Sequence, residues 1–337
     1  EQLCLEYNKK LLIILMQGDK FMEYILLVIG FALLIKGADF FVDGASSIAK
    51  ILKVPPLLIG LTIVAFGTSA PEAAVSINAA MKGSNEIALG NILGSNIFNL
   101  LLAIGITAMI KEIKVQKTTI VKEFPLSLYA TLMLFLLSVD VYLGGQKENI
   151  ISRADGLLLL LGFCVFLFYL VEMAFLSKEE NDDFGEHKKH SISKSIIFSI
   201  GGIIGIVFGG DIVVKSASTI ALTLGMSQTL VGLTIVAIGT SLPELVTSIS
   251  AAKKGEGDIA MGNIIGSGLF NILFVLGASA AIHPVAISQK LYTDIILLFI
   301  ITSVVYFFSA TGRTIDKKEG LFLTISYVFY MIFIIIR

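Results

Sequence analysis

The chain contains one stretch of its sequence twice. Residues 60–105 align without a gap to residues 232–277, and about 28 of the 46 aligned positions carry the same amino acid. The same offset of 172 residues places Asp39 on Asp211, outside the two stretches. A duplication of this length predicts a fold made of two similar halves.

Both copies place a glutamate inside apolar sequence of membrane-spanning length. Glu72 ends the run GTSAPE, and Glu244 ends the run GTSLPE. An apolar share of 55%, a charged share of 15% and a mean hydropathy of +0.89 are typical of integral membrane proteins. A bilayer strongly disfavours ionisable side chains, so we interpret both glutamates as functional residues.

The chain has ten segments that approach the length of about 20 apolar residues needed to cross a bilayer as a helix. The predicted spans cover approximately residues 22–49, 55–81, 87–110, 124–141, 154–176, 194–223, 228–252, 259–282, 291–309 and 319–336. The resulting divisions are an N-terminal extension (1–21), a first five-helix repeat (22–176), a cytoplasmic linker (177–193) and a second five-helix repeat (194–337).

Positive charges near the span ends predict the orientation. The odd-numbered connections carry about 15 Lys and Arg and the even-numbered ones about 8, so the odd connections are expected in the cytoplasm and both termini outside the cell. Because each copy has an odd number of spans, the second copy must enter the membrane inverted. We therefore predict an all-α integral protein of the plasma membrane, with ten transmembrane helices in two inverted repeats. Broken helices that meet near the midplane are typical of secondary transporters.

Several other classes of function lack their sequence signals. The net charge of -1 argues against a nucleic-acid partner, which normally requires a basic surface. The two cysteines, Cys4 and Cys164, are far apart, and the three histidines form neither an HExxH motif nor a Ser-His pair. We therefore expect neither an enzyme nor a cofactor.

A proline lies inside the second and the seventh predicted span. Pro71 and Pro243 should each break a helix around Gly-Thr-Ser and allow it to restart at Pro-Glu. We expect such a break to make backbone carbonyls available beside the hydroxyls of the motif, and together these oxygens suit a hard cation. The carbonyls are those of Ala65, Phe66, Ala237 and Ile238, and the hydroxyls are those of Thr68, Ser69, Thr240 and Ser241.

A simpler interpretation of the same motif is helix capping. Ser69 and Glu72, like Ser241 and Glu244, match the pattern S-x-x-E, which would only restart a kinked helix. Capping inside a bilayer does not require an ionised side chain in both copies, so we favour the cation site.

The next span in each copy carries a second polar motif, GNILGSNIFN in the first and GNIIGSGLFN in the second. In each motif a serine and an asparagine four residues apart share one helical face, where we favour contact with a cation. These pairs are Ser95 with Asn99 and Ser267 with Asn271. For Asn91 and Asn263, four residues earlier, two interpretations stay open: a cation ligand, or an amide that joins helices.

The predicted ligands account for coupled exchange. Two carboxylates with neutral oxygens match one Ca²⁺, which binds about six to eight oxygens, and several Na⁺ could occupy the same cluster. Without a cation, two nearby carboxylates in a poor dielectric attract a proton. Cations and protons should therefore compete for one site.

Small residues are concentrated in the first and sixth spans. They favour close helix packing, and a smooth sliding face is the alternative. They are Gly30, Gly37 and Gly44 in the first span and Gly201, Gly205 and Gly209 in the sixth.

The four motifs, in this order, resemble the two alpha-repeats of the calcium:cation antiporter superfamily, most closely the prokaryotic sodium/calcium exchangers. The resemblance covers roughly residues 22–336. It implies ten helices in inverted halves, a moving pair formed by the first and sixth helices, and repeat glutamates that coordinate Ca²⁺ and Na⁺. The ligand positions that it implies are Glu72, Glu244, Ala65, Ala237, Thr68, Thr240, Ser69, Ser241, Ser95, Ser267, Asn99 and Asn271.

One departure from that family bears on ion specificity. Some relatives carry Asp at the position of Asn271, a substitution associated with potassium co-transport in one branch and with proton handling in prokaryotic members, whereas both copies have Asn here. The linker over 177–193 is also too short for the calcium-sensing region of animal exchangers.

The leading hypothesis is an antiporter that exchanges Na⁺ for Ca²⁺ by alternating access. The alternatives are a Ca²⁺/H⁺ exchanger or K⁺-dependent variant on the same scaffold, and a cation channel. The expected partners are Ca²⁺, Na⁺ and the lipid bilayer. One chain holds both half-sites, so we expect a monomer to suffice.

Overall fold

The protein is almost entirely helical where its structure is described. The computed structural model describes residues 2–139, 141, 149–180, 191–226 and 237–336. Four strands of two residues each interrupt the helices. The all-α fold class predicted from the sequence is confirmed.

The helices follow the predicted spans closely. In chain order they are α1 (Gln2–Leu52), α2 (Pro56–Thr68), α3 (Ala70–Met81), α4 (Asn85–Phe98, Asn99–Ala103 and Ile104–Ile110), α5 (Thr119–Leu137), α6 (Arg153–Glu180), α7 (Ile192–Thr223), α8 (Ala237–Thr240), α9 (Leu242–Lys253), α10 (Gly257–Ile282), α11 (Gln289–Gly312) and α12 (Lys317–Ile336). The strands are β1 (Ile113–Lys114), β2 (Ile150–Ile151), β3 (Val285–Ala286) and β4 (Thr314–Ile315).

Eight of the described helices are long and apolar enough to cross a membrane. A ninth span results if α2 and α3, which are bent by 51° relative to each other, count as one. The predicted span over 228–252 lies partly outside the described residues, as does most of the predicted linker over 177–193. The backbone of the predicted extension over 1–21 is helical from Gln2 and continues into α1.

Two small antiparallel ladders join connections from opposite halves of the chain. β1 pairs with β4, and β2 pairs with β3. Five described spanning helices lie between β1 and β4: α5, α6, α7, α10 and α11. Five is an odd number of crossings, so these five helices alone would place β1 and β4 on opposite sides of a membrane. The hydrogen bonds between β1 and β4 require both strands to lie on the same side. The connection between Thr223 and Gly257 includes residues outside the described ranges, and the count of ten spans stays a prediction.

The helices that carry the polar motifs lie at the centre of the molecule. In α4 and α10, 78% and 83% of the apolar stretch is buried, compared with 22% in α6 and α12. Backbone contacts hold α2 against α10: a Cβ on Gly60 would lie 2.7 Å from the carbonyl oxygen of Ile259, and one on Gly262 would lie 2.7 Å from that of Leu57. This close approach positions the first GTS motif beside the second copy.

Glycines also join α1 to α7, as the packing interpretation predicts. A Cβ on Gly37 would lie 2.7 Å from the Ile206 nitrogen. The predicted row of Gly201, Gly205 and Gly209 is wrong at one position. Gly201 is exposed, and a Cβ built on it would have no described atom within 4 Å. A Cβ on Gly202 would lie 2.5 Å from the Phe41 nitrogen. The four-residue spacing pointed to Gly201, Gly205 and Gly209, whereas the helix face that contacts α1 includes Gly202 with Gly205 and Gly209.

Adjacent glycines of α7 supply a matched test of this interface. We expect Gly202→Ala to destabilise the protein by about 1–3 kcal/mol, because the methyl group must displace main-chain atoms of α1. Gly201→Ala should stabilise it by up to about 1 kcal/mol through helix propensity alone. Thermal unfolding of the purified protein measures both. Equal shifts for the two variants would contradict the interface.

Candidate ion-binding site

Both GTS-X-P motifs break their helix where the sequence predicts. α2 ends at Thr68 and α3 restarts at Ala70, while α8 ends at Thr240 and α9 restarts at Leu242. Each proline lies in the first turn of the new helix, where a missing N–H costs no hydrogen bond. The following glutamate therefore lies in the first turn too, at the positive end of the helix dipole.

The two glutamates are each held by the opposite copy. Ser69 Oγ donates to Glu244 Oε1 at 2.8 Å, and Ser241 Oγ donates to Glu72 Oε1 at 3.2 Å. Ser69 and Ser241 occupy the N-cap positions, but neither side chain caps its own helix. The capping interpretation of S-x-x-E is therefore wrong, because the hydroxyls bind across the two halves.

Both carboxylates are fully buried, and no basic side chain of the described residues pairs with them. Glu72 and Glu244 are 0% exposed, and the Oε2 atom of each has no hydrogen-bond partner among the described residues. Their charges interact with each other. Three ion pairs of the described residues lie elsewhere: Lys50 with Glu256, Lys215 with Asp211, and Lys254 with Asp43. A buried carboxylate is costly unless a charge compensates it, and a bound cation would do so.

Asn91 and Asn263 join the broken helices. Asn263 Nδ2 donates to the Glu244 carbonyl at 3.3 Å and to Ser248 Oγ at 3.0 Å. Asn91 Nδ2 makes the equivalent bonds to the Glu72 carbonyl at 3.3 Å and Ser76 Oγ at 2.9 Å. These contacts favour the helix-joining interpretation over the ligand interpretation.

The threonines of the GTS motifs complete this frame. Thr68 Oγ1 donates to Asn263 Oδ1 at 3.0 Å, and Thr240 Oγ1 donates to Asn91 Oδ1 at 3.4 Å. Thr68 also approaches the Glu244 side chain. Each threonine thus connects its own copy to the asparagine of the other.

Sequence reasoning missed Ser76 and Ser248. Each follows its glutamate by four residues in the conserved part of the duplication, so each lies one helical turn beyond the carboxylate. The identity of the two copies at these positions was the available signal.

The carbonyls expected to become available are in part hydrogen-bonded. The Ala65 carbonyl accepts the Ser69 N–H at 3.0 Å and the Ser267 hydroxyl at 3.5 Å, and the Ile238 carbonyl accepts the Ser241 N–H at 3.1 Å. The expectation fails here because a proline removes the bond to the carbonyl four residues earlier, which is that of Gly67 for Pro71. Both lone pairs of this carbonyl oxygen are therefore used, and a cation at Ala65 would have to displace the Ser267 hydroxyl. A ligand role for Ala65 stays a prediction.

The second motifs contribute buried polar atoms without partners. Ser95 Oγ, both amide atoms of Asn99 and Asn271 Oδ1 have no hydrogen-bond partner among the described residues. Asn99 and Asn271 lie in wider π-helical turns, Asn99–Ala103 and Phe270–Leu276, a feature common at functional sites. No hydrogen bond of the described residues links Ser95 or Asn99 to a glutamate.

The predicted ligands are buried as a group. The relative exposure is 8% for Thr240 and at most 1% for Ala65, Thr68, Ser69, Glu72, Ser95, Asn99, Ser241, Glu244, Ser267 and Asn271. Ala237, the remaining one, begins α8. The described residues contain no cluster of three His, Cys, Asp or Glu side chains. Two carboxylates among neutral oxygens suit hard cations such as Na⁺ and Ca²⁺ rather than thiolate-binding or imidazole-binding metals.

Comparison with known proteins gives the family. A family model described as sodium/calcium exchanger protein matches residues 22–172 and 194–336. The chain belongs to this sodium/calcium exchanger family. The matched stretches exclude the whole of the predicted linker over 177–193. The membership confirms the resemblance carried by the four motifs.

Relatives of this exchanger family member match it over nearly their full length. CaxA of Alkalimonas amylolytica is 41% identical over 91% of this chain and 96% of its own. The sodium/calcium exchanger MaX1 of Methanosarcina acetivorans is 30% identical over 92% of this chain and 97% of its own. The structure of the sodium-calcium exchanger NCX_Mj aligns with a TM-score of 0.79 and 30% identity, covering 92% of this chain and 98% of that one. The protein is therefore a multi-pass membrane protein of a family of ion exchangers, not of enzymes.

Two asparagines of this exchanger should respond differently to truncation. Without Ca²⁺, we expect Asn263→Ala to lower stability by about 2–3 kcal/mol, because three hydrogen bonds of about 1 kcal/mol each are lost. Asn99→Ala should change stability by less than about 1 kcal/mol without Ca²⁺, because the described residues offer its amide no hydrogen bond to lose.

The added cation separates the two roles. Ca²⁺ should raise the melting temperature of Asn263→Ala as it does that of the unmodified protein, whereas Asn99→Ala should lose part of that gain. Thermal unfolding in EDTA and in Ca²⁺ measures both effects. A loss for Asn263→Ala that is seen only with Ca²⁺ would restore the ligand interpretation for Asn263.

Proposed function

We propose that the protein exchanges Na⁺ for Ca²⁺ across the membrane by alternating access. The observation that carries this proposal is the pair of buried glutamates, each hydrogen-bonded to a serine of the opposite copy and neither paired with a basic residue in the described ranges. A site built from both halves can remain assembled while the surrounding helices open to one side and then to the other.

The charge of the site explains why two ion types are coupled. Glu72 and Glu244 give a formal charge of minus two, which one Ca²⁺ neutralises, and Na⁺ ions can neutralise it by occupying the cluster together. Rearrangement without a cation would leave uncompensated carboxylates in an apolar interior, which costs several kcal/mol per charge. Loaded states therefore interconvert more readily than the unloaded one, and the flux of one ion drives that of the other.

The proposed ligands are the two carboxylates and neutral oxygens around them. We assign the neutral ligands to Ala65, Ala237, Thr68, Thr240, Ser69, Ser241, Ser95, Ser267, Asn99 and Asn271. Asn99 and Asn271 are amides, so the proposed ligand set contains no third acid and does not favour a potassium-dependent variant.

A Ca²⁺/H⁺ exchanger is the second candidate. It is favoured by the free Oε2 atoms of both glutamates, because a proton could neutralise the same oxygens that a cation does.

For either exchanger we propose the same location and orientation: the protein lies in the plasma membrane, with the odd-numbered connections in the cytoplasm and both termini outside the cell. One chain supplies the complete site.

Calcium uptake into sealed liposomes tests the proposal. We expect an imposed Na⁺ gradient alone to drive uptake. Glu72→Gln should reduce that uptake by a factor on the order of 100, because losing one partner of a buried charge interaction costs about 2–5 kcal/mol. Asp211→Asn is the matched control, since Asp211 is an exposed carboxylate paired within its own helix with Lys215 at 2.7 Å.

Each alternative gives a distinct result in the same liposomes. Uptake driven by a pH gradient without Na⁺ selects the proton exchanger, and uptake that requires K⁺ selects the potassium-dependent variant. Currents far above carrier rates indicate a channel. Sodium-driven uptake that Glu72→Gln leaves intact contradicts the assignment of the site.

A further inference from the structure

The two copies of the second polar motif differ at one central position. The first copy reads GSN and the second GSG, so Asn96 and Gly268 occupy equivalent positions. They face each other, because a Cβ on Gly268 would lie 3.9 Å from Asn96 Oδ1. A single amide side chain therefore occupies the contact between the two halves at this point.

The amide of Asn96 is 2% exposed and hydrogen-bonded on both sides to the opposite copy. Its Nδ2 donates to the Gly268 carbonyl at 3.4 Å, and its Oδ1 accepts from Asn271 Nδ2 at 3.3 Å. The first bond uses the NH₂ group of Asn96, so the Asn96 oxygen faces Asn271. The second bond then requires the NH₂ group of Asn271 to point towards Asn96, which fixes the orientation of the Asn271 amide. The Oδ1 atom of Asn271 is buried and has no hydrogen-bond partner in the described ranges.

The equivalent asparagine of the first copy has no such support. Both amide atoms of Asn99 lack a hydrogen-bond partner among the described residues. An asparagine amide presents either an oxygen, which attracts a cation, or an NH₂ group, which repels it. The single Asn96 thus makes Asn99 and Asn271 unequal as ligands.

We propose that Asn96 is a positioning residue that holds the Asn271 amide with its oxygen directed towards the transported cation. This inference rests on the proposed function. It gives the site a fixed amide ligand from the second copy and a rotatable one from the first. Asn96 itself does not contact the ion in this assignment.

A small cavity beside Asn96 suggests a sharp test. It has a volume of about 10 Å³, close to the minimum for one water, and Gly268 lies on its wall. Removing the Asn96 side chain would enlarge this space from the other side. The double variant Asn96→Gly with Gly268→Asn should therefore accommodate an amide that comes from the opposite copy.

Calcium uptake kinetics in liposomes and thermal unfolding with added Ca²⁺ or Na⁺ provide the readouts. We expect Asn96→Ala to raise the KM for Ca²⁺ roughly tenfold with kcat nearly unchanged, because only the orientation of a ligand is lost. The double variant should restore KM to within about threefold of the original, since one hydrogen-bonded amide again joins the halves.

The double variant should also exchange the roles of the two asparagine ligands. Asn271→Ala should raise KM more than Asn99→Ala in the native background, and Asn99→Ala should raise it more in the swapped background. A purely structural role for Asn96 would lower stability and kcat without this exchange, and that result would overturn the proposal. If Asn96→Ala does not fold, the order of the two effects in the swapped background decides alone.

Failure of this inference can be told apart from failure of the proposed function. A native chain that takes up no Ca²⁺ under any gradient contradicts the proposed function. In that case the rise in melting temperature with added Na⁺ or Ca²⁺ still measures cation binding. If Asn96→Ala shows the same rise as the native chain, the positioning role is contradicted.

Discussion

The hydrogen bonds from Ser69 to Glu244 and from Ser241 to Glu72 are the interaction on which the site depends. Each carboxylate belongs to one copy and receives its donor from the other, so neither half could form the site alone. Two buried acids without a basic partner would strongly oppose folding if nothing solvated them. The crossed serines provide part of that solvation, and the second oxygen of each acid has no hydrogen-bond partner among the described residues.

Most of the surrounding structure can be understood as support for this crossing. Each proline lies two residues after the serine whose hydroxyl binds the glutamate of the other copy. The helix is interrupted at that serine. Asn91 and Asn263 then bind the carbonyls of the glutamates, which holds the restarted helices in place. Because these amides use both their donor and acceptor atoms in the frame, they are better suited to holding the site than to binding an ion.

The halves are similar but not equivalent. The frame of asparagine, threonine and serine is repeated in both copies, whereas the contact of Asn96 with Gly268 and Asn271 exists once. Two amides at this position would have to share a space that one side chain fills. A difference of one residue between the two copies of a motif can therefore restrict the side-chain rotation of one proposed ligand, Asn271, and not that of its equivalent, Asn99.

The sequence alone determined the duplication, the membrane class, the family and the two broken helices, because Gly-Thr-Ser-X-Pro-Glu and the apolar runs act through local rules of helix geometry and burial. Spacing within one helix also indicated the buried faces of Ser95 with Asn99 and of Ser267 with Asn271. It could not show that Ser69 and Ser241 bind the opposite copy, that Gly202 rather than Gly201 contacts α1, or that Asn96 accepts a hydrogen bond from Asn271. Those facts depend on which atoms of distant segments meet, and only the tertiary structure decided them, since a hydrogen bond between two halves is set by their relative position and not by the periodicity of either one.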